Sequence, residues 1–137
     1  MGLKRGLQAH LTSILLSATG VYQVAAPAGT GLPFVTWQVI SRVPSHTHDG
    51  TSGVSTIRVQ VDIWAGSESQ RETLLSELRA GMDGYRGALG SSGVQCGRCF
   101  LANVVDGTEP GISGYTAMTD FVMALSGEAT HHTGGET

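Results

Sequence analysis

From Ile57 to Trp64 apolar and polar side chains alternate without a break: Ile57, Val59, Val61 and Ile63 on one side, Arg58, Gln60, Asp62 and Trp64 on the other. A period of two is that of a half-buried strand, predicted here over 54–65. Ala65-Gly66 ends it, and the period changes. Leu74, Leu75, Leu78 and Met82 fall on one helical face, Ser67 stands at the N-cap with Gln70 three residues on, and Glu68, Glu72 and the late Arg79 suit the helix dipole. A helix is therefore predicted from Ser67 to about Asp83.

The same reading covers the rest of the chain. Leu3, Leu7, Leu11, Ile14 and Leu15 keep helical spacing and predict an amphipathic first helix. A short extended piece, Val21 to Val24, leads into an Ala/Pro/Gly-rich loop. Phe34 to Val43 reads as a strand with Val35, Trp37 and Val39 on one face, ended by Pro44, which lacks a ladder donor. The stretch 44–53, PSHTHDGTSG, is too polar and glycine-rich to pack and is expected to project. After a Gly-rich connection over 84–93, Val94 to Val105 and Tyr115 to Ser126 form a predicted antiparallel pair around the turn-rich 106–111. In the second of these, Tyr115, Ala117, Thr119, Phe121, Met123 and Leu125 share a face.

These elements predict an α+β fold: an antiparallel sheet of about four main strands with two helices packed on one face, in the order α-β-β-α-β-β. Residues 1–126 form one expected domain, and 127–137 (GEATHHTGGET) a polar C-terminal tail without apolar periodicity. No internal repeat is evident. With Ile57, Val59, Val61 and Ile63 turned to the helices, Arg58, Gln60, Asp62 and Trp64 face the other way. A tryptophan among polar and charged side chains is the composition of an interface anchor, or of a strand-end ring folded over the core edge.

Composition narrows the function. A chain of 137 residues suits a single core. Only 14% of the residues are charged and 40% are hydrophobic, leaving an uncharged, Gly-rich surface that suits contact with other subunits. A net charge of −3 argues against sequence-independent grip on nucleic acid. Seven of the eight basic residues are arginines, whose planar fork suits interface contacts. Lys4 and Arg5 precede an apolar stretch, but Gln8, His10, Thr12 and Ser13 interrupt it, so a first helix fits better than a signal peptide. Gly6 stands where a myristoylation motif needs serine or threonine, and no run approaches the ~20 apolar residues of a membrane span. Two cysteines do not make a disulfide framework, so a reducing cytoplasm is the default.

The chain offers little for catalysis. Cys96-Gly97-Arg98-Cys99 lies within a predicted strand, where residues three apart point to opposite faces; without a bulge at Gly97 the thiols neither bridge nor chelate. Zinc would need two further ligands, for which His46 and His48 are the candidates. His46-Thr47-His48-Asp49, with Ser45 and Ser52 nearby, sits in the projecting loop, and a solvated or partner-binding loop explains it better than a hydrolase triad. Glu68 and Glu72 already serve a helix N-terminus. No phosphate-cradling glycine motif is present. No catalytic residue, cofactor or metal is expected.

Leu32-Pro33-Phe34 opening a strand, a variable polar loop, the strand Val59-Gln60-Val61-Asp62-Ile63-Trp64-Ala65 and a Ser-started helix together resemble the tail-completion proteins of long-tailed bacteriophages, or tail terminators. The resemblance covers most of residues 3–85 and continues loosely through the last two strands. It implies a structural virion protein at the tail-neck junction, made in the host cytoplasm. It further implies a ring, usually hexameric, that caps the tail tube, ends its polymerisation and docks the tail to the head connector, with DNA passing through the lumen unbound. A globule of this size has a radius of gyration near ~14 Å, too small to surround DNA, so a channel requires several copies. Arg58, Gln60, Asp62 and Trp64, with His46, His48 and Asp49 of the loop, are then the expected contacts between subunits or with partners. The alternatives are a head-tail stopper of the phage neck and a small cytoplasmic zinc- or ligand-binding domain built on Cys96, Cys99 and the loop histidines.

Overall fold

The alternation along 57–63 is realised as a central strand whose apolar side chains are at most 1% exposed. The computed structural model describes residues 2–44, 54–91, 93–109 and 114–126. Along the chain these form α1 (Leu3–Ile14), β1 (Val21–Gln23), β2 (Phe34–Pro44), β3 (Val54–Ala65), α2 (Glu68–Met82), β4 (Gly87–Ala88), β5 (Gln95–Glu109) and β6 (Gly114–Ser126). Of the loop expected over 44–53, all but Pro44 lies outside the described residues, as does the expected polar tail 127–137.

The strands build one curled, mixed sheet of six in the order β1-β2-β3-β6-β5-β4. This corrects the expected fold class. The fold is mostly β, its sheet is neither four-stranded nor wholly antiparallel, and the chain order is α-β-β-β-α-β-β-β. One extra strand arises because the 24–33 connection carries the chain back before it enters β2, so Val21–Gln23 runs parallel to Val35–Trp37. Backbone bonds fix that return: Thr19 N–H to Pro33 O at 2.7 Å, Val35 N–H to Gly20 O at 3.0 Å, and Val24 N–H to Trp37 O at 2.7 Å. The other, β4, lies within the Gly-rich run, where Gly87 and Ala88 pair with Cys96 and Gln95. Three irregularities, near Ile40, Gly97 and Ala102, interrupt the ladders and sharpen the bend of the sheet.

One hydrophobic core fills the space between helices and sheet. Leu74, Leu78 and Met82 of α2 meet Ile57, Val61, Ile63, Phe121 and Met123, all 0–1% exposed; each such side chain contributes roughly 1.5–3 kcal/mol relative to exposure. The α2 N-terminus closes as its residue order predicts: Ser67 Oγ accepts from Gln70 N–H at 3.2 Å, while Gln70 Oε1 accepts from Gly66 N–H at 2.8 Å. Helix α1 brings Leu3, Leu7 and Leu11 to the same core. Its polar anchor is Gln8, which accepts from the indole N–H of fully buried Trp37 at 2.7 Å and donates to Val21 O at 2.8 Å, tying α1 to β2 and β1. Ser17 donates from both its N–H (3.0 Å) and its hydroxyl (2.6 Å) to the Glu77 carboxylate, fastening the end of α1 to α2. Among the described residues no helix is long and apolar enough to cross a membrane.

Candidate functional site

With one face of the sheet closed by helices, the other carries the polar half of each alternation. Because β6 lies between β3 and β5, the registers align side chains in rows across four strands. Gln38, Gln60, Asp120 and Asn103 form one row. The next joins Thr36, Asp62, Met118 and Val105, and the last Phe34, Trp64, Thr116 and Gly107. On the other side of the polar row stand Ser41, Arg58, Val122 and Phe100. Phe100, Val105 and Met118 are 44%, 51% and 46% exposed, too much for core packing; Val105 and Met118 pair side by side, and Phe100 stands across the Asn103–Asp120 row from them.

The polar side chains of this face bond one another. Gln60 Nε2 donates to both oxygens of Asp62 at 3.2 and 2.9 Å, and the Arg58 guanidinium lies 3.8 Å from Asp120. Burial pushes the Asp62 carboxyl above its ordinary value; the Gln60 bonds oppose that rise and the like charge of Asp120 adds to it. Trp64 does not enter the core. Its ring stacks on Phe34 with centroids 6.0 Å apart and planes at 20°, and its indole N–H donates to Thr36 Oγ1 at 3.2 Å. Together with Val24, Pro27 and Leu32 these side chains wall an open, mostly apolar cavity of about 480 Å³. Val24 stands at its rim with φ 72°, a left-handed conformation that β-branched residues rarely adopt.

Arg58, Gln60, Asp62 and Trp64 thus occupy one face, as their alternation predicts, while His46, His48 and Asp49 lie outside the described residues. Reading β3 alone missed Phe34, Thr36, Phe100, Val105, Met118 and Asp120, which complete the surface. The signal was the same period of two, applied to the neighbouring strands' outward positions.

The cysteines depart from expectation. Cys96 faces Leu125, Arg98 faces Ala124 and Cys99 faces Met123, so Gly97 is an extra residue in β5 and both thiols turn to the core side, each 2% exposed. Glu68 and Glu72 flank Arg71 at 3.8 and 3.3 Å, and Arg71 in turn donates to Gly107 O at 3.4 Å and lies 5.5 Å above the Tyr115 ring. The two acids therefore hold an arginine that braces α2 against the far ends of β5 and β6. Among the described residues no three His, Cys, Asp or Glu side chains gather as a metal site.

Comparison with protein families finds that the model described as "Tail completion protein gp17" matches residues 6–124. Among solved structures, a chain described as "Virion of native gene transfer agent (GTA) particle" superposes with a TM-score of 0.63 at 12% sequence identity, covering 90% of this chain and 91% of that one. At that identity the likeness is one of fold. No curated protein matches.

Proposed function

Since the chain belongs to the tail completion protein gp17 family, and is a phage tail structural protein, we propose that it forms a ring that caps the tail tube, ends tube polymerisation and joins the tail to the head connector. The family match over 6–124 carries this reading. A fold shared with a chain of a gene transfer agent virion supports its place in a phage-like particle; the proposal puts it at the junction of tail and neck. The outer sheet face supplies what a ring needs. It combines a half-buried tryptophan beside an open apolar cavity with the exposed apolar pair Val105 and Met118 on β5 and β6, a recess and an exposed surface that suit head-to-tail contact closed by rotation. Arg58, Gln60, Asp62 and Trp64 lie on the proposed subunit contact, with the loop bearing His46, His48 and Asp49 reaching a neighbour. Residues 1–126 act as one assembly unit and 127–137 as its polar extension. Mild negative charge lets DNA traverse the lumen without being held.

Purified protein mixed with isolated tail tubes and viewed by electron microscopy should appear as a cap at one tube end, and tubes polymerised in its presence should stop growing. Binding to isolated portals, with tube ends left bare, would overturn the reading in favour of a stopper on the head side.

A further inference from the structure

The outer face makes no use of Cys96 and Cys99. Although three apart in sequence, they face Leu125 and Met123, only two residues apart on β6, because the bulge at Gly97 takes up the odd residue. Two residues of strand span roughly 6.4–6.8 Å, at the upper end of the Cα separations that a disulfide bridges, and the side chains lie next to each other on one face. Both thiols are buried on the core side, and the Cys96 thiol donates to Arg98 O at 3.2 Å and to Tyr85 O at 3.6 Å. Both are free thiols in the structure.

We infer that Cys96 and Cys99 are an oxidisable dithiol that closes to an intramolecular disulfide when a low-molecular-weight disulfide reaches it, with the sheet remaining folded. Cys96 is the attacking sulfur. The neighbouring Cys99 thiol holds the Cys96 thiol below the ordinary range despite burial, whereas Cys96 and burial push Cys99 well above it. The Cys96 thiolate displaces one thiolate from the small disulfide and forms a mixed disulfide. Cys99 then gives its proton to the released thiolate, attacks Cys96 Sγ and expels the second thiolate. In sum, two protein thiols and one small disulfide become one protein disulfide and two small thiols. Access comes by local opening of the 83–88 segment, whose Tyr85 carbonyl lies 3.6 Å from Cys96 Sγ and whose two-residue β4 is all that pairs with β5 at Cys96, an opening smaller than that of the sheet.

Trypsin provides the readout, since it cuts after Arg98, between the cysteines, and no Lys or Arg follows. Folded protein is treated with hydroxyethyl disulfide, alkylated and digested. The peptide ending at Arg98 should remain joined to the C-terminal peptide, two hydrogens lighter than their sum, in most chains, with unchanged far-UV circular dichroism. Cys99→Ser should stop at the mixed disulfide on Cys96, and Cys96→Ser should react at least tenfold more slowly. Recovery of both cysteines separately alkylated from folded protein, while guanidine-unfolded chain links, would overturn the inference; so would a link that joins two chains. The wild-type peptide map decides the matter even if a serine variant fails to fold.

Discussion

Asp62 stands on the outer face at a position where its charge is costly to keep. Half-buried beside Met118 and held by Gln60, it has a folded pKa above its unfolded one, with burial the larger cause and Asp120 adding to it. Between those two values the folded chain binds the extra proton, so stability is full below the unfolded pKa and falls as pH rises through the folded one. Asp62→Asn keeps an oxygen for Gln60 and removes the charge. At pH 7 it should raise stability by up to about 0.5 kcal/mol, a gain that vanishes below roughly pH 4; urea melts across that range test it, and a pH-independent difference would refute the assignment. At this scale the sequence was partly readable. The alternation put Asp62, Arg58 and Trp64 on a common face, because two-residue periodicity is local. It could not show that Gly97 turns Cys99 toward Cys96, since a bulge depends on which residues of β6 lie opposite.

Between elements, a close approach joins the two helices. A Cβ added at Gly81 would lie 2.6 Å from Ile14 Cγ2 and 2.7 Å from its Cβ, and Gly81 O is bonded to His10 Nε2 at 3.0 Å. Alanine favours a helix interior over glycine by about 1 kcal/mol, while overpacking a filled contact costs about 1–3 kcal/mol. The second effect wins because Ile14 presents its branch point, not a mobile tip, so Gly81→Ala should lower stability by about 1 kcal/mol. Adding Ile14→Ala should then cost less in the Gly81→Ala background than in wild type; strict additivity in thermal melts would argue against the clash. Long elements with a clear period were legible: α1, β2, β3, α2 and β6 stand where the residue pattern puts them, while β5 runs on through Asp106–Glu109, residues whose turn-like composition is overridden by pairing with Gly114–Ala117. The extended piece at Val21 to Val24 was read but not its parallel pairing, and β4 was not read at all, because two or three residues carry no period and their partners are supplied by chain returns over 24–33 and 83–94. That omission made the sheet look smaller and wholly antiparallel.

For the whole molecule, the tested quantity is assembly. Trp64→Ala and Met118→Glu alter diagonal neighbours on β3 and β6 of the outer face while leaving the core cluster intact. Each should preserve the monomer's fold by circular dichroism. Each should also weaken tube capping by about tenfold or more, as loss of a buried aromatic anchor or a charge placed in an apolar contact does elsewhere. Unimpaired capping by both variants would move the ring contact off this face.

The position of β6 has a further consequence, for the order in which the protein can be made. The sheet's two middle pairings, β3 with β6 and β6 with β5, both depend on the last described strand, 114–126. Until that strand leaves the ribosome, the hairpin of β2 and β3 has one unpaired inner edge, with Ile57, Val59, Val61 and Ile63 only partly covered by α2. β5 likewise lacks its partner. The emerging chain is thus two half-sheets that only the final strand can weld, and nascent chains released before 114 should bind chaperones and resist proteolysis far less than those that include it.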